Sequence, residues 1–117
     1  MKKRYLESFL NGEKIYYNSS TEDDVFPLDT IHLATVTYRD RYRPAQGSYT
    51  NFYYSPKLEV YFEANSCFGM KWWDSYIKLT SLDEIKRTLS SAGGEVEINQ
   101  EECEKYAPCL LELEEEI

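Results

Sequence analysis

Leu58, Val60, Phe62 and Ala64 alternate with Glu59, Tyr61 and Glu63, the period-two pattern of a strand with one buried face and one wet face. Such a strand needs partners, and the chain offers several. Residues 30–42 contain the β-rich run Ile31 to Tyr38, which continues into Arg39, Asp40, Arg41, Tyr42 and Arg43 before Pro44 and Gly47 end it. Residues 48–54 read as another strand, with a turn at Ser55 and Pro56. After a turn near Asn65 and Ser66, residues 71–79 read as a further strand, with Trp73, Ile77 and Leu79 on one face and Trp72 and Tyr76 on the other. Strands joined this tightly imply an antiparallel meander.

The flanking segments add helices and shorter strands. Tyr5, Leu6, Phe9 and Leu10 recur at helical spacing, but Asn11-Gly12 serves equally as a helix cap or a hairpin turn, so residues 3–10 stay open between helix and strand. Residues 13–17 alternate as a short strand and residues 18–24 read as a polar loop. Ser81-Leu82-Asp83-Glu84 is a capping box that opens a helix over about 81–92, closed by Gly93-Gly94. Val96 and Ile98 alternate with Glu95 and Glu97 as a short strand, and Asn99 caps a short helix ending near Pro108. Residues 110–117 fit strand or helix. The expectation is one α+β domain over residues 1–117, in which an antiparallel sheet of about four to six strands carries the main helix on a face.

Charge is the compositional fact that bears most on function. Residues 1–80 carry ten acidic and ten basic side chains, whereas residues 81–117 carry eleven acidic ones against Lys86, Arg87 and Lys105, so the whole net charge of −8 lies in the C-terminal third. That end should repel nucleic acid and anionic membranes and attract basic protein surfaces. No run approaches the length of an apolar membrane span, and Met-Lys-Lys-Arg leads into a segment too short and charged for a signal-peptide core, so a cytoplasmic protein is expected.

Familiar catalytic chemistry finds little support. His32 is the sole histidine and sits between Ile31 and Leu33, where a structural role with a satisfied hydrogen bond is the ordinary one. No glycine-rich turn opens a helix after a strand. Cys67, Cys103 and Cys109 are odd in number and irregularly spaced, which fits neither a disulfide framework nor a zinc site. The chain is expected to be no enzyme and to hold no cofactor or metal.

Three groups of residues are candidates for binding. Glu95, Glu97, Glu101, Glu102, Glu104 and Glu112 make an acidic face that could occupy the basic groove of a nuclease or other nucleic-acid-binding protein, as an inhibitor of the anti-defence or immunity kind. Tyr53, Tyr61, Trp72 and Tyr76 are residue types enriched at interface hot spots, on a sheet where one covered face cannot absorb both members of each adjacent aromatic pair. Arg39, Arg41 and Arg43 would share one face of an extended strand and, with flanking tyrosines, form a ligand- or nucleotide-binding platform; the plainer alternative is a charged strand end neutralised by Asp40, Glu59 and Glu63. A homodimeric interaction subunit is the remaining alternative. The leading expectation is a small acidic inhibitor that blocks a basic protein partner.

Overall fold

A computed structural model describes residues 1–68 and 75–112. Its six strands are β1 (Ile15–Tyr17), β2 (Ile31–Arg39), β3 (Gly47–Ser55), β4 (Val60–Phe68), β5 (Ser75–Thr80) and β6 (Glu95–Ile98). They form one sheet in the order β1-β5-β4-β3-β2-β6, with every neighbouring pair antiparallel. The middle of this sheet, β2 through β5, is the expected meander, and the two short strands from the chain's flanks close its edges. Helix α1 (Lys3–Leu10) precedes β1, α2 (Glu22–Val25) lies between β1 and β2, α3 (Leu82–Ser90) between β5 and β6, and α4 (Gln100–Tyr106) follows β6, with a 3-10 turn over Pro108–Leu110. None of the described helices is long and apolar enough to cross a membrane.

The main helix forms where its cap predicts. The Ser81 hydroxyl accepts from the Glu84 N–H at 3.2 Å, while the Glu84 carboxylate accepts from Thr80 Oγ1 at 2.9 Å. Its apolar stripe then places Ile85 and Leu89 on the sheet, where they pack with Leu33, Ala34, Val36 and Phe52. Cys103, Ala107 and Leu110 complete this layer from α4 and the turn after it. One face of the sheet thus carries α3 and α4.

The opposite face carries α1 and α2. There Phe9, Val25, Phe62, Ala64, Ile77 and Ile15 form a second buried cluster, edged by Tyr53, Phe26 and Tyr17. Phe62 is the hub. Its ring stacks on Tyr53 at 5.2 Å between centroids and meets Phe9 and Phe26 edge-on at 5.7 and 6.0 Å. This second layer absorbs the aromatic surplus, because Tyr53 points into it while its neighbour Tyr54 points to the α3 face.

Several boundaries differ from expectation for local reasons. The turn placed at Asn65 and Ser66 is strand: β4 keeps pairing through Asn65↔Thr50, Ser66↔Tyr49 and Cys67↔Ser48, and Asn65 Nδ2 donates to Thr50 Oγ1 at 3.3 Å. The same strand starts at Val60 rather than Leu58, since Glu59 adopts φ 55 in the turn before it. Residues 22–25, expected as loop, make one helical turn headed by Glu22, Asp23 and Asp24, where carboxylates favour the exposed amides. Trp72, Trp73 and Glu114 to Glu116 lie outside the described residues.

Candidate functional site

Among the described residues β6 is the outermost strand at one end of the sheet, paired with β2 in the register Ala34↔Ile98, Thr35↔Glu97, Val36↔Val96 and Thr37↔Glu95. Side chains alternate along it. Ile98 packs towards the α3 layer, which sends Glu95 and Glu97 to the other face, opposite Thr37 and Thr35. Both glutamates are exposed, as is Val96 at 42%. Glu95 reaches Arg39 at 3.7 Å, a solvent-exposed pair that contributes little to stability.

The chain turns from β6 directly into α4. Asn99 makes that turn possible: its N–H donates to the Leu33 carbonyl at 2.8 Å, and its side chain accepts from the Glu102 N–H at 3.3 Å. Cys103 Sγ also donates to Leu33 O, at 3.3 Å, so the helix is fastened to β2 along its Cys103 side. Glu101 and Glu104 are exposed on the rest of the helix surface, and Glu102 is half-buried. Exposed carboxylates therefore stand on β6 and on the helix that follows it: Glu95 and Glu97 on the α1 face of the strand, Glu101 and Glu104 on α4, which packs on β2 from the other face. Glu112 stands apart, 3.9 Å from Lys86 on α3.

Behind Glu97 runs a polar chain across the sheet. His32 Nε2 lies 2.6 Å from Thr35 Oγ1, which donates to Asn51 Oδ1, also at 2.6 Å. With the threonine proton committed to Asn51, its oxygen is left to accept from His32, which selects the ring tautomer protonated at Nε2. Burial pushes the His32 pKa down, and the nearby Glu97 carboxylate with an Ala34 backbone hydrogen bond partly offsets this. The folded value therefore lies below the usual one, so the ring's contribution to stability is full above about pH 6.5 and is lost as pH falls through the lowered value. Glu97→Gln removes the opposing charge and should move the His32 midpoint further down in an NMR titration; an unmoved midpoint would show that the two side chains do not interact.

The other candidate groups are not assembled as the sequence implies. β2 ends at Arg39, so Arg39, Arg41 and Arg43 do not line one strand face. Asp40 Oδ1 accepts from the Tyr42 and Arg43 N–H groups at 2.8 and 3.0 Å, and this side-chain-capped turn replaces the strand extension. Arg39 meets Glu95, and Glu63, proposed to neutralise the arginines, sits opposite Lys78 on β5. Of the aromatic set, Tyr53 belongs to the α1 layer, whereas the Tyr61 hydroxyl donates to Tyr106 O at 2.8 Å beneath the α4 end of the other layer. Tyr76 lies apart from both, in edge contact with the exposed Tyr16 and under Lys14 Nζ at 4.5 Å. Trp72 falls outside the described residues, so Tyr53, Tyr61 and Tyr76 do not form one face.

Among the described residues, no group of three or more histidine, cysteine, aspartate or glutamate side chains is placed to hold a metal ion. An open notch of about 170 Å³ lined by Met1, Leu6, Pro27, Leu28 and Leu58, with Asp29 and Lys57 at its rim, lies among residues of the N-terminal half. Comparison with protein-family models, with curated proteins and with solved structures finds no match for this chain.

Proposed function

We propose that this chain is a small acidic binding protein that seats its β6 and α4 end on a basic surface of a protein partner and blocks it, the surface being one that the partner otherwise offers to nucleic-acid phosphates. The observation that carries this reading is the exposure of Glu95 and Glu97 on an edge strand together with that of Glu101 and Glu104 on the helix that directly follows it. Carboxylates held on a folded scaffold need little ordering on binding, and their summed field accelerates encounter with a cationic groove. The function needs no catalysis and no cofactor, and the same charge disfavours direct contact with nucleic acid or anionic membranes.

The test has two stages. Immobilised protein is offered a lysate of its native host at low and high salt, and a basic protein released by salt is identified and purified. Glu95, Glu97, Glu101 and Glu104 are then all changed to lysine. The variant should keep its circular dichroism and lose about a hundredfold or more in affinity, since each exposed charge pair is worth up to about 1 kcal/mol and each reversal adds repulsion. Unchanged affinity would remove the acidic end from the interface.

A further inference from the structure

We propose that β6 is extended by an added strand, supplied by a basic protein partner as a segment with Lys or Arg at every second residue. The inference rests on the acidic binding function proposed above and names the form in which the partner's cations arrive. Its ground is the backbone of β6 as much as its charge. The Asn99 N–H points inward to Leu33 O, and antiparallel pairing alternates inward and outward groups. Glu97 and Glu95 therefore also face β2, while the N–H and C=O of Val96 and Ile98 face the open edge. A strand added there finds hydrogen-bond partners at two residues, as in recognition by β-augmentation.

Side-chain chemistry selects the occupant. Residues directly opposite one another share a sheet face, with strands about 4.7–4.9 Å apart. Cations at alternate positions of the added strand would lie beside Glu95 and Glu97, and the apolar residues between them beside Val96 and Ile98. A second copy's β6 is disfavoured, because it sets glutamates against glutamates. The opposite edge strand, β1, is preceded by Lys14 and presents Tyr16, so a basic segment has one edge that attracts it.

The probe is the capped pentapeptide acetyl-Lys-Val-Lys-Val-Lys-amide, titrated into the full chain and followed by amide NMR. The expected result is saturable binding with the largest shifts at Val96 and Ile98, weakened about tenfold or more when the two peptide valines are N-methylated, which removes the donors that face β6 while leaving the charge intact. Val96→Pro should weaken the unmodified peptide similarly, since proline is tolerated where an edge N–H faces solvent. Because the methylated peptide tests the same bond with wild-type protein, misfolding of that variant would not obscure the answer. Equal binding of both peptides would overturn strand addition yet leave the acidic surface standing as a charged plate. Absence of binding by either would also overturn it, and the fourfold lysine variant would then decide the acidic surface separately.

Discussion

Truncation of Phe62 to alanine should cost the fold about 3–5 kcal/mol, the range for removing a fully buried aromatic ring whose site cannot collapse. The ring has no exposure, and it is the point at which α1, through Phe9, and the loop carrying Phe26 meet the sheet. Its stacking with Tyr53 extends that contact from β4 to β3. The cavity left behind would be walled by Phe9, Tyr53, Phe26 and the neighbouring strand residues, and the paired strands hold those walls apart. Urea unfolding of Phe62→Ala with unchanged m-value would give the loss directly. A loss under about 1 kcal/mol would show that the α1 and α2 layer contributes little to stability.

That layer was the part of the fold least legible in the sequence. The alternation of Val60, Phe62 and Ala64 and the cap at Ser81 are local signals, and both elements stand where those signals put them. Adjacent aromatics such as Tyr53 and Tyr54 are different, because the same pair fits a sheet with one exposed face or a sheet covered on both. Only the return of residues 1–26 onto the sheet decides between these, and that contact spans much of the chain. The two-sided cover also explains why Tyr53, Tyr61 and Tyr76 do not share one face: Tyr53 enters one layer, Tyr61 with Tyr54 enters the other, and Tyr76 is left half-buried beside the exposed Tyr16 at the β1 edge.

The candidate site divides in the same way. Charge partition pointed to the acidic end, and β6 and α4 were readable from alternation and from Asn99. Arg39, Arg41 and Arg43 do not share a strand face because Asp40 accepts from two following amides, a signal present in the sequence as an aspartate shortly before Pro44 and Gly47. The His32, Thr35 and Asn51 chain had no local signal, since it exists only in the register that sets Thr35 opposite Asn51. Nor could composition reveal that β6 would stand at an edge. Strand order is a property of the whole meander, and it is the edge that turns scattered glutamates into a surface.

Gly94→Ala should disrupt that surface, and Gly93→Ala beside it should not. A Cβ at this position would lie 2.2 Å from the Thr37 carbonyl oxygen and 3.1 Å from its carbon, and both are backbone atoms of β2 that cannot swing aside as a side chain could. The start of β6 must therefore lift from β2, beginning with the Thr37↔Glu95 pair, at a cost of about 1–3 kcal/mol typical of overpacking. Gly93 supplies the control, because a Cβ there meets nothing within 4 Å. Hydrogen exchange should quicken at Glu95 and Glu97 in Gly94→Ala and stay unchanged in Gly93→Ala. Because Glu95 and Glu97 depend on the same contact for their positions, Gly94→Ala should also weaken partner binding at unaltered net charge, whereas Gly93→Ala should not. Equal behaviour of the two variants would mean that the close approach at Thr37 does not hold β6 in place, and the acidic end would then act through charge without a fixed shape.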